Sequence, residues 1–306
     1  MQKYNVLIIG AGKIAGGFDT PGSDVFLTHA HAYQKHEAFN LLGFYDVDFS
    51  KAKEMAQKWS VSFFENLKGI NADIISVCTP DEVHLSSLKE ALKLNPKLIF
   101  LEKPLSKDLK DSKEILEISK NIPVLVNYSR RFIPEFQDLS INIKKGAFGE
   151  YFAGNGFYGK GFIHNGSHMI DLLHLLVGKT FKMDVIDGFI DFYSDDSTKT
   201  AILSFQSDKK FFMQGVDCNN FTIFELDLIF EKARIRILDS GLKIEIYNII
   251  EDTIFKGYRK LELKEEFNTK SNKAMFYAVD NIYNFLNYAE PLKCSIEQAF
   301  EAIKHG

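Results

Sequence analysis

At 306 residues, with 45% hydrophobic and 25% charged positions, the chain has the size and balance of one large or two ordinary globular domains. A net charge of −4 argues against nucleic acid as the main partner, which would need a basic face. Cys78, Cys218 and Cys294 are far apart and form no CxxC, so they suggest neither a disulfide framework nor a zinc site, and no metal is expected. No apolar run approaches the roughly 18 residues that span a bilayer. The opening MQKYNVLIIGAG lacks a basic leader and a cleavage site, so it reads as the first strand of a cytoplasmic protein.

From residue 3 to about 126, short apolar runs alternate with helical patterns. YNVLIIG, NLLGFYD, ADIISVCT, KLIFLE and PVLVN read as strands. Their nearly continuous hydrophobicity suits parallel strands covered on both faces. SKAKEMAQKW, PDEVHLSSLKEALKL and SKDLKDSKEILEISK carry helical spacing and polar caps. This alternation predicts a doubly wound parallel sheet over residues 1–124. Near residue 150 the pattern changes. From about 181 to 264, longer runs rich in Phe, Ile, Thr and Tyr, separated by SDDS, QSDKK and DSG, predict a mostly antiparallel open sheet in an α+β domain over 125–306. Helical stretches at 272–288 and 295–304 close the chain and are candidates to pack back on the first domain.

Gly10-Ala11-Gly12-Lys13-Ile14-Ala15 follows the first strand as a G-x-G-x-x-A fingerprint. Its first glycine permits a tight turn and its second lets backbone approach a pyrophosphate. The small third residue allows close packing of a following helix on the strand. A glycine turn without a ligand is the alternative, disfavoured by the position after a strand. Asp46 ends the second strand, where a carboxylate accepts from ribose hydroxyls and repels a 2′-phosphate, favouring NAD over NADP. It lies 34 residues after Gly12, rather than roughly 20. Residues 16–28, read as an inserted loop, account for the excess, and Asp48 or Ser50 is better placed than Asp46 to cap the next helix. Thr79-Pro80 ends another strand. His84 then opens a helix, either as a cofactor contact or as an ordinary surface residue.

Glu102-Lys103-Pro104 ends the strand KLIFLE, and carboxyl ends of parallel strands face ligands. The proline keeps Lys103 out of the helical region, and the Lys103–Pro104 bond is a candidate for the cis form. A lysine half out of water beside a cationic nicotinamide is expected to serve as a proton acceptor near neutrality. A surface Glu–Lys pair before a loop is the competing reading.

Together, GAGKIAG, the Thr-Pro…His segment, EKPLS and a Gly-x-His-x-x-Asp stretch resemble the glucose–fructose oxidoreductase and inositol dehydrogenase family (Gfo/Idh/MocA) over nearly the whole chain. The resemblance implies a Rossmann domain, a C-terminal domain with a large open sheet, and NAD(P)-dependent oxidation or reduction of a sugar-like carbinol. It also implies that Lys103 and His168 are catalytic, that Glu102 holds the lysine and the nicotinamide ribose, and that Asp171 is the family's aspartate after the histidine. Many members carry an aspartate four residues before that histidine; here the position is His164, so the usual carboxylate partner is missing.

In KGFIHNGSHMIDLLHLLVG (160–178), a helix capped by Asn165 or Ser167 and ended by Gly178 places His168 and Asp171 on one face. Asn165-Gly166 argues against continuous helix from His164, and with no HExxH glutamate the H-x-x-x-H is not read as a metal site. Asn127 and Arg131 are further cofactor candidates, Arg131-Phe132 matching a family position. Tyr128, Arg130, Lys160, His164 and Asn165 join Lys103, His168 and Asp171 as substrate candidates. The expected partner is a sugar or nucleotide-sugar, with a homodimer or homotetramer formed through the C-terminal sheet, as the resemblance implies. Same-fold reduction of an imine, tetrapyrrole or diol, and a non-catalytic cofactor sensor, are the alternatives.

Overall fold

The computed structural model describes residues 3–305. The chain divides into two compact units, Met1–Phe132 with Asn272–Phe300, and Ile133–Ser271 with Glu301–Gly306.

The first unit carries a six-stranded parallel sheet: β1 (Tyr4–Ile9), β2 (Phe39–Tyr45), β3 (Ser62–Phe64), β4 (Ile74–Val77), β5 (Leu98–Leu101) and β6 (Val124–Val126), in spatial order β3-β2-β1-β4-β5-β6. Every residue of β4, β5 and β6 is buried, the burial that a two-sided sheet imposes and that their unbroken apolar runs announce. Strand order reverses between β1 and β4, and there the carboxyl ends of neighbouring strands leave a crevice. Helices α1 (His29–Lys35), α2 (Phe49–Trp59), α3 (His84–Leu92) and α4 (Leu109–Ile118) follow the first strands, and α7, described below, clusters with this unit. Asp48 caps α2 through Ser50 and Lys51, and Asp108 caps α4 through Lys110.

The glycine loop departs from expectation. It opens only a five-residue π turn, Lys13–Gly17, before residues 18–28 lead into α1. That segment is tied down by a buried carboxylate: Asp19 accepts from Thr28 Oγ1 (2.5 Å), Leu27 N (2.7 Å) and His31 Nδ1 (3.0 Å). Its core-facing bonds hold the start of α1 in place, which a reading of the stretch as plain loop does not anticipate.

The second unit begins with α5 (Pro134–Lys144), its proline at the first turn where no N–H is needed. An eight-stranded sheet follows: β7 (Tyr151–Tyr158), β8 (Lys182–Phe189), β9 (Thr198–Ser204), β10 (Lys210–Gly215), β11 (Phe224–Phe230), β12 (Ala233–Leu238), β13 (Lys243–Glu251) and β14 (Arg259–Asn268), ordered β14-β13-β12-β11-β7-β10-β9-β8. All pairs are antiparallel except β7 with β10. β11 and β12 alternate buried and half-buried positions, so one face builds the core. Helix α6 (Ser167–Leu176) lies between β7 and β8 in sequence, and α7 (Ala274–Tyr288) and α8 (Ile296–Ile303) end the chain. Among the described residues no helix is long and apolar enough to cross a membrane.

Candidate active site

Gly10 ends β1 at φ +94°, and a Cβ there would lie 2.7 Å from the Cys78 carbonyl carbon. Only glycine therefore lets the ends of β1 and β4 approach this closely. Gly12 is different. It is exposed, and a Cβ on it would meet nothing within 4 Å, so its side-chain space is open to a ligand. Lys13 beside it is exposed, Ile14 half-buried and Ala15 buried.

Gly10, Asp46, Thr79 and Pro80 line one cleft of about 280 Å³ with Val83 and Ser87. Asp46 is half-buried and its carboxylate already accepts from Ala11 N (2.7 Å) and Asp48 N (2.9 Å), which fixes its direction at the mouth of the glycine loop. A larger hollow of about 420 Å³ in the second unit, lined by Tyr151, Lys179, Phe205 and Lys209 among others, holds none of the predicted site residues.

His84 is buried rather than on the surface. Its Nδ1 lies 2.8 Å from Pro104 O and its Nε2 3.0 Å from Thr79 O, so it braces the two strand-end turns that border the crevice.

The turn after β5 is held from below. Glu102 N donates to Val77 O and Asn127 N to Leu101 O, so both side chains project from the carboxyl ends of β5 and β6. Glu102 is 7% exposed. Its Oε1 meets His29 Nε2 at 2.8 Å and Asn127 Nδ2 at 2.6 Å, and its Oε2 accepts from Lys103 N at 3.3 Å. Burial alone would raise this carboxyl. The bonds from His29 and Asn127, with the His29 and Lys103 charges, outweigh it and hold Glu102 below the usual carboxylate range. The network continues inward from His29 Nδ1 to Ser76 Oγ (3.2 Å), whose hydroxyl donates to Tyr33 OH (3.0 Å). Burial pushes the Tyr33 hydroxyl up, and burial followed by the Glu102 charge pushes the Cys78 thiol up, so both stay protonated.

Lys103 is half-buried and its peptide to Pro104 is cis. Among the described residues, Asn127 Oδ1 is buried without a hydrogen-bond partner, an acceptor that suits a donor on a bound nucleoside. Tyr128 and Arg131 are buried, with Arg131 Nη1 donating to Lys293 O, and Arg130 is half-buried. His29 was not singled out from sequence; its only signal was a histidine run, THAHAYQKH, at the start of a helix.

The other predicted residues belong to the second unit, where the structure corrects two expectations. A π turn, Phe162–Gly166, runs directly into α6, so His164 and His168 do lie on continuous helical chain. Neither Asn165 nor Ser167 caps it: Asn165 Nδ2 donates to Gly159 O, and Ser167 Oγ to Ile163 O. The capping oxygens come from Asp196, which accepts from Ile163 N (3.0 Å) and His164 N (2.9 Å). Asp196 also meets His164 Nδ1 at 2.7 Å, so His164 has a carboxylate partner that its sequence neighbourhood lacks. Tyr193 stacks on the His164 ring at 3.9 Å. Lys160 takes φ +63°, its N donating to Asp191 Oδ2 and its Nζ lying 5.0 Å over Phe192. Burial would raise Asp191, but bonds from Lys160 N, Phe192 N, Thr198 Oγ1 and Cys218 N hold it below the usual range. His168 is half-buried and Asp171 buried, one turn apart on α6.

Residues 4–128 match the family model GFO_IDH_MocA, described as an oxidoreductase family with an NAD-binding Rossmann fold. Over these residues, the chain is similar to the Gfo/Idh/MocA family. A scyllo-inositol 2-dehydrogenase (NAD(+)) from Bacillus subtilis is 34% identical over 109 residues, 35% of this chain and 32% of that relative, so the match spans about a third of its length. Two solved structures share the fold of nearly the whole chain. UDP-N-acetylglucosamine 3-dehydrogenase GnnA from Acidithiobacillus ferrooxidans superimposes with a TM-score of 0.79 at 16% identity, covering 99% of this chain and 95% of that one. The 3-ketoreductase KijD10 from Actinomadura kijaniata, in complex with TDP-benzene and NADP, gives a TM-score of 0.75 at 12% identity, covering 99% and 95%. The matched residues include the glycine loop with its open Gly12 site and the Glu102–Lys103–Pro104 turn.

The openness at Gly12 gives a clean test of the dinucleotide site. Gly12→Ala is expected to fold with an unchanged melting temperature and to lose NAD affinity by on the order of tenfold or more, because the new methyl occupies ligand space and has no protein atom within 4 Å. Titration calorimetry showing undiminished affinity would remove this loop from the site.

Proposed function

We propose that the protein is an NAD-dependent oxidoreductase that moves a hydride between nicotinamide and a hydroxyl- or ketone-bearing carbon of a sugar or nucleotide-linked sugar. The observation that carries this reading is the turn after β5. Its glutamate is clamped by His29 and Asn127, which presents Lys103 at the carboxyl end of a central parallel strand. The open backbone at Gly12 and the Asp46 cleft support a dinucleotide, and the Asp46 carboxylate favours NAD over NADP. The names of the relatives, dehydrogenases of a cyclitol and of a nucleotide sugar, support the substrate class.

The bound dinucleotide supplies the hydride acceptor or donor. Lys103 takes the hydroxyl proton during oxidation and returns it during reduction. His168 orients the hydroxyl and relays the proton, with Asp171 beside it on α6. Glu102 and Asn127 hold the lysine turn and the ribose. Tyr128, Arg130, Lys160, His164 and Asn165 contact the substrate, the cations suiting an anionic group such as a diphosphate. The edge strand β8 exposes Val185 and Ile186, and β14 exposes Leu261 and Leu263, which suits pairing of two copies over this sheet.

Absorbance at 340 nm across a panel of inositols, free sugars and UDP- and TDP-sugars, with NAD and with NADP, tests the reading. Turnover with at least one ring carbinol, faster with NAD, is expected. Cofactor binding with no hydride transfer to any of them would overturn it in favour of a sensor.

A further inference from the structure

We propose that Asp196 is the positioning residue of a His164–Asp196 pair, which supplies from a distant loop the carboxylate missing four residues ahead of His168. The pairing stands on geometry alone; its catalytic consequence rests on the sugar-oxidoreductase reading above. Asp196 is 4% exposed. Before it meets the imidazole, its carboxylate is oriented by two backbone N–H groups, Ile163 N on Oδ1 and His164 N on Oδ2. The approach is possible because Gly161, at φ +80°, has no Cβ; one there would overlap the Asp196 carboxylate. The loop carrying Asp196 is anchored on both sides: Asp191 accepts from Lys160 N (2.7 Å), and Thr198 Oγ1 accepts from Gly161 N (2.8 Å). Tyr193 covers one face of the His164 ring, its plane tilted by only 17° from it.

These contacts determine the ring's chemistry. Nδ1 donates to Asp196 at 2.7 Å, so in the neutral imidazole Nδ1 carries the hydrogen and Nε2 is the acceptor. An oriented Nε2 can accept a hydrogen bond from a substrate hydroxyl, and Asp196 counters the charge when the ring is protonated. A side chain that replaces the family's acid by histidine thus arrives with an acid behind it.

The test uses Asp196→Asn, His164→Gln and the double variant of the full chain. Long-range ¹H–¹⁵N spectra of histidine-labelled protein, with His164→Gln assigning the resonance, are expected to show His164 as the Nδ1–H tautomer. An Nε2–H tautomer would overturn the pairing. On a sugar that the panel shows to be turned over, Asp196→Asn is expected to lower kcat by on the order of tenfold with the KM for NAD unchanged, and to lower the melting temperature, because the amide cannot accept from both Ile163 N and His164 N. In the His164→Gln background the same substitution is expected to have no further effect, because Asp196 acts through the ring. An additive loss in the double variant would reduce Asp196 to a loop anchor. If no sugar is turned over, the functional reading fails while the tautomer still decides the pairing.

Discussion

Lys103→Met is expected to lower turnover by on the order of a hundredfold or more while leaving NAD affinity unchanged. The methionine keeps most of the side chain's volume and removes its amine, so the loss isolates proton transfer from packing. Affinity should hold because the groups that fit the dinucleotide, Gly12, Asp46 and the buried acceptor of Asn127, are untouched. A loss confined to KM would instead make Lys103 a binding residue. Unchanged turnover would reject its role outright.

The second large effect is on stability. His29→Ala strands a 7%-exposed carboxylate with Asn127 as its remaining side-chain donor among the described residues, and removing one partner of a buried pair typically costs about 3–5 kcal/mol. Urea unfolding at pH 7 should show a loss of that order, and a variant as stable as the parent would mean that the bond contributes nothing net. The pH dependence has a definite sign. Glu102 is held below its unfolded value by its partners, so its share of stability is fully present above the ordinary glutamate range and is lost as pH falls through the lowered folded value. The difference between the parent chain and Glu102→Gln should therefore be largest near neutrality and shrink in acid.

These effects also mark what the sequence could and could not reveal. The strands β4, β5 and β6 were legible because burial on both faces demands apolar runs, and β1 and β2 because most of their residues are apolar and buried. Asp46 and the Glu102–Lys103–Pro104 turn were legible because they punctuate the ends of such runs. The three-residue β3 is too short to show a period. β14, RKLELKEEFN, is exposed along nearly its whole length, so burial left no mark on it. Helix α6 was expected, but not the π turn before it, because Asn165-Gly166 reads as a break unless an acid elsewhere takes up the free N–H groups. That acid, Asp196, sits 32 residues away in a stretch that reads as a turn, and His29 lies 73 residues from Glu102. Both pairings join segments through space, and neither residue has a periodicity or motif of its own.

The measurement that bears most directly on the proposed chemistry is the fate of a deuterium placed on the carbinol carbon of a sugar that the panel shows to be turned over. Mass spectrometry of the NADH should find one deuterium per molecule formed by the parent chain, and at least a hundredfold less labelled NADH over the same time with Lys103→Met. Unlabelled NADH, or equal rates of labelling in the two proteins, would contradict direct hydride transfer governed by Lys103.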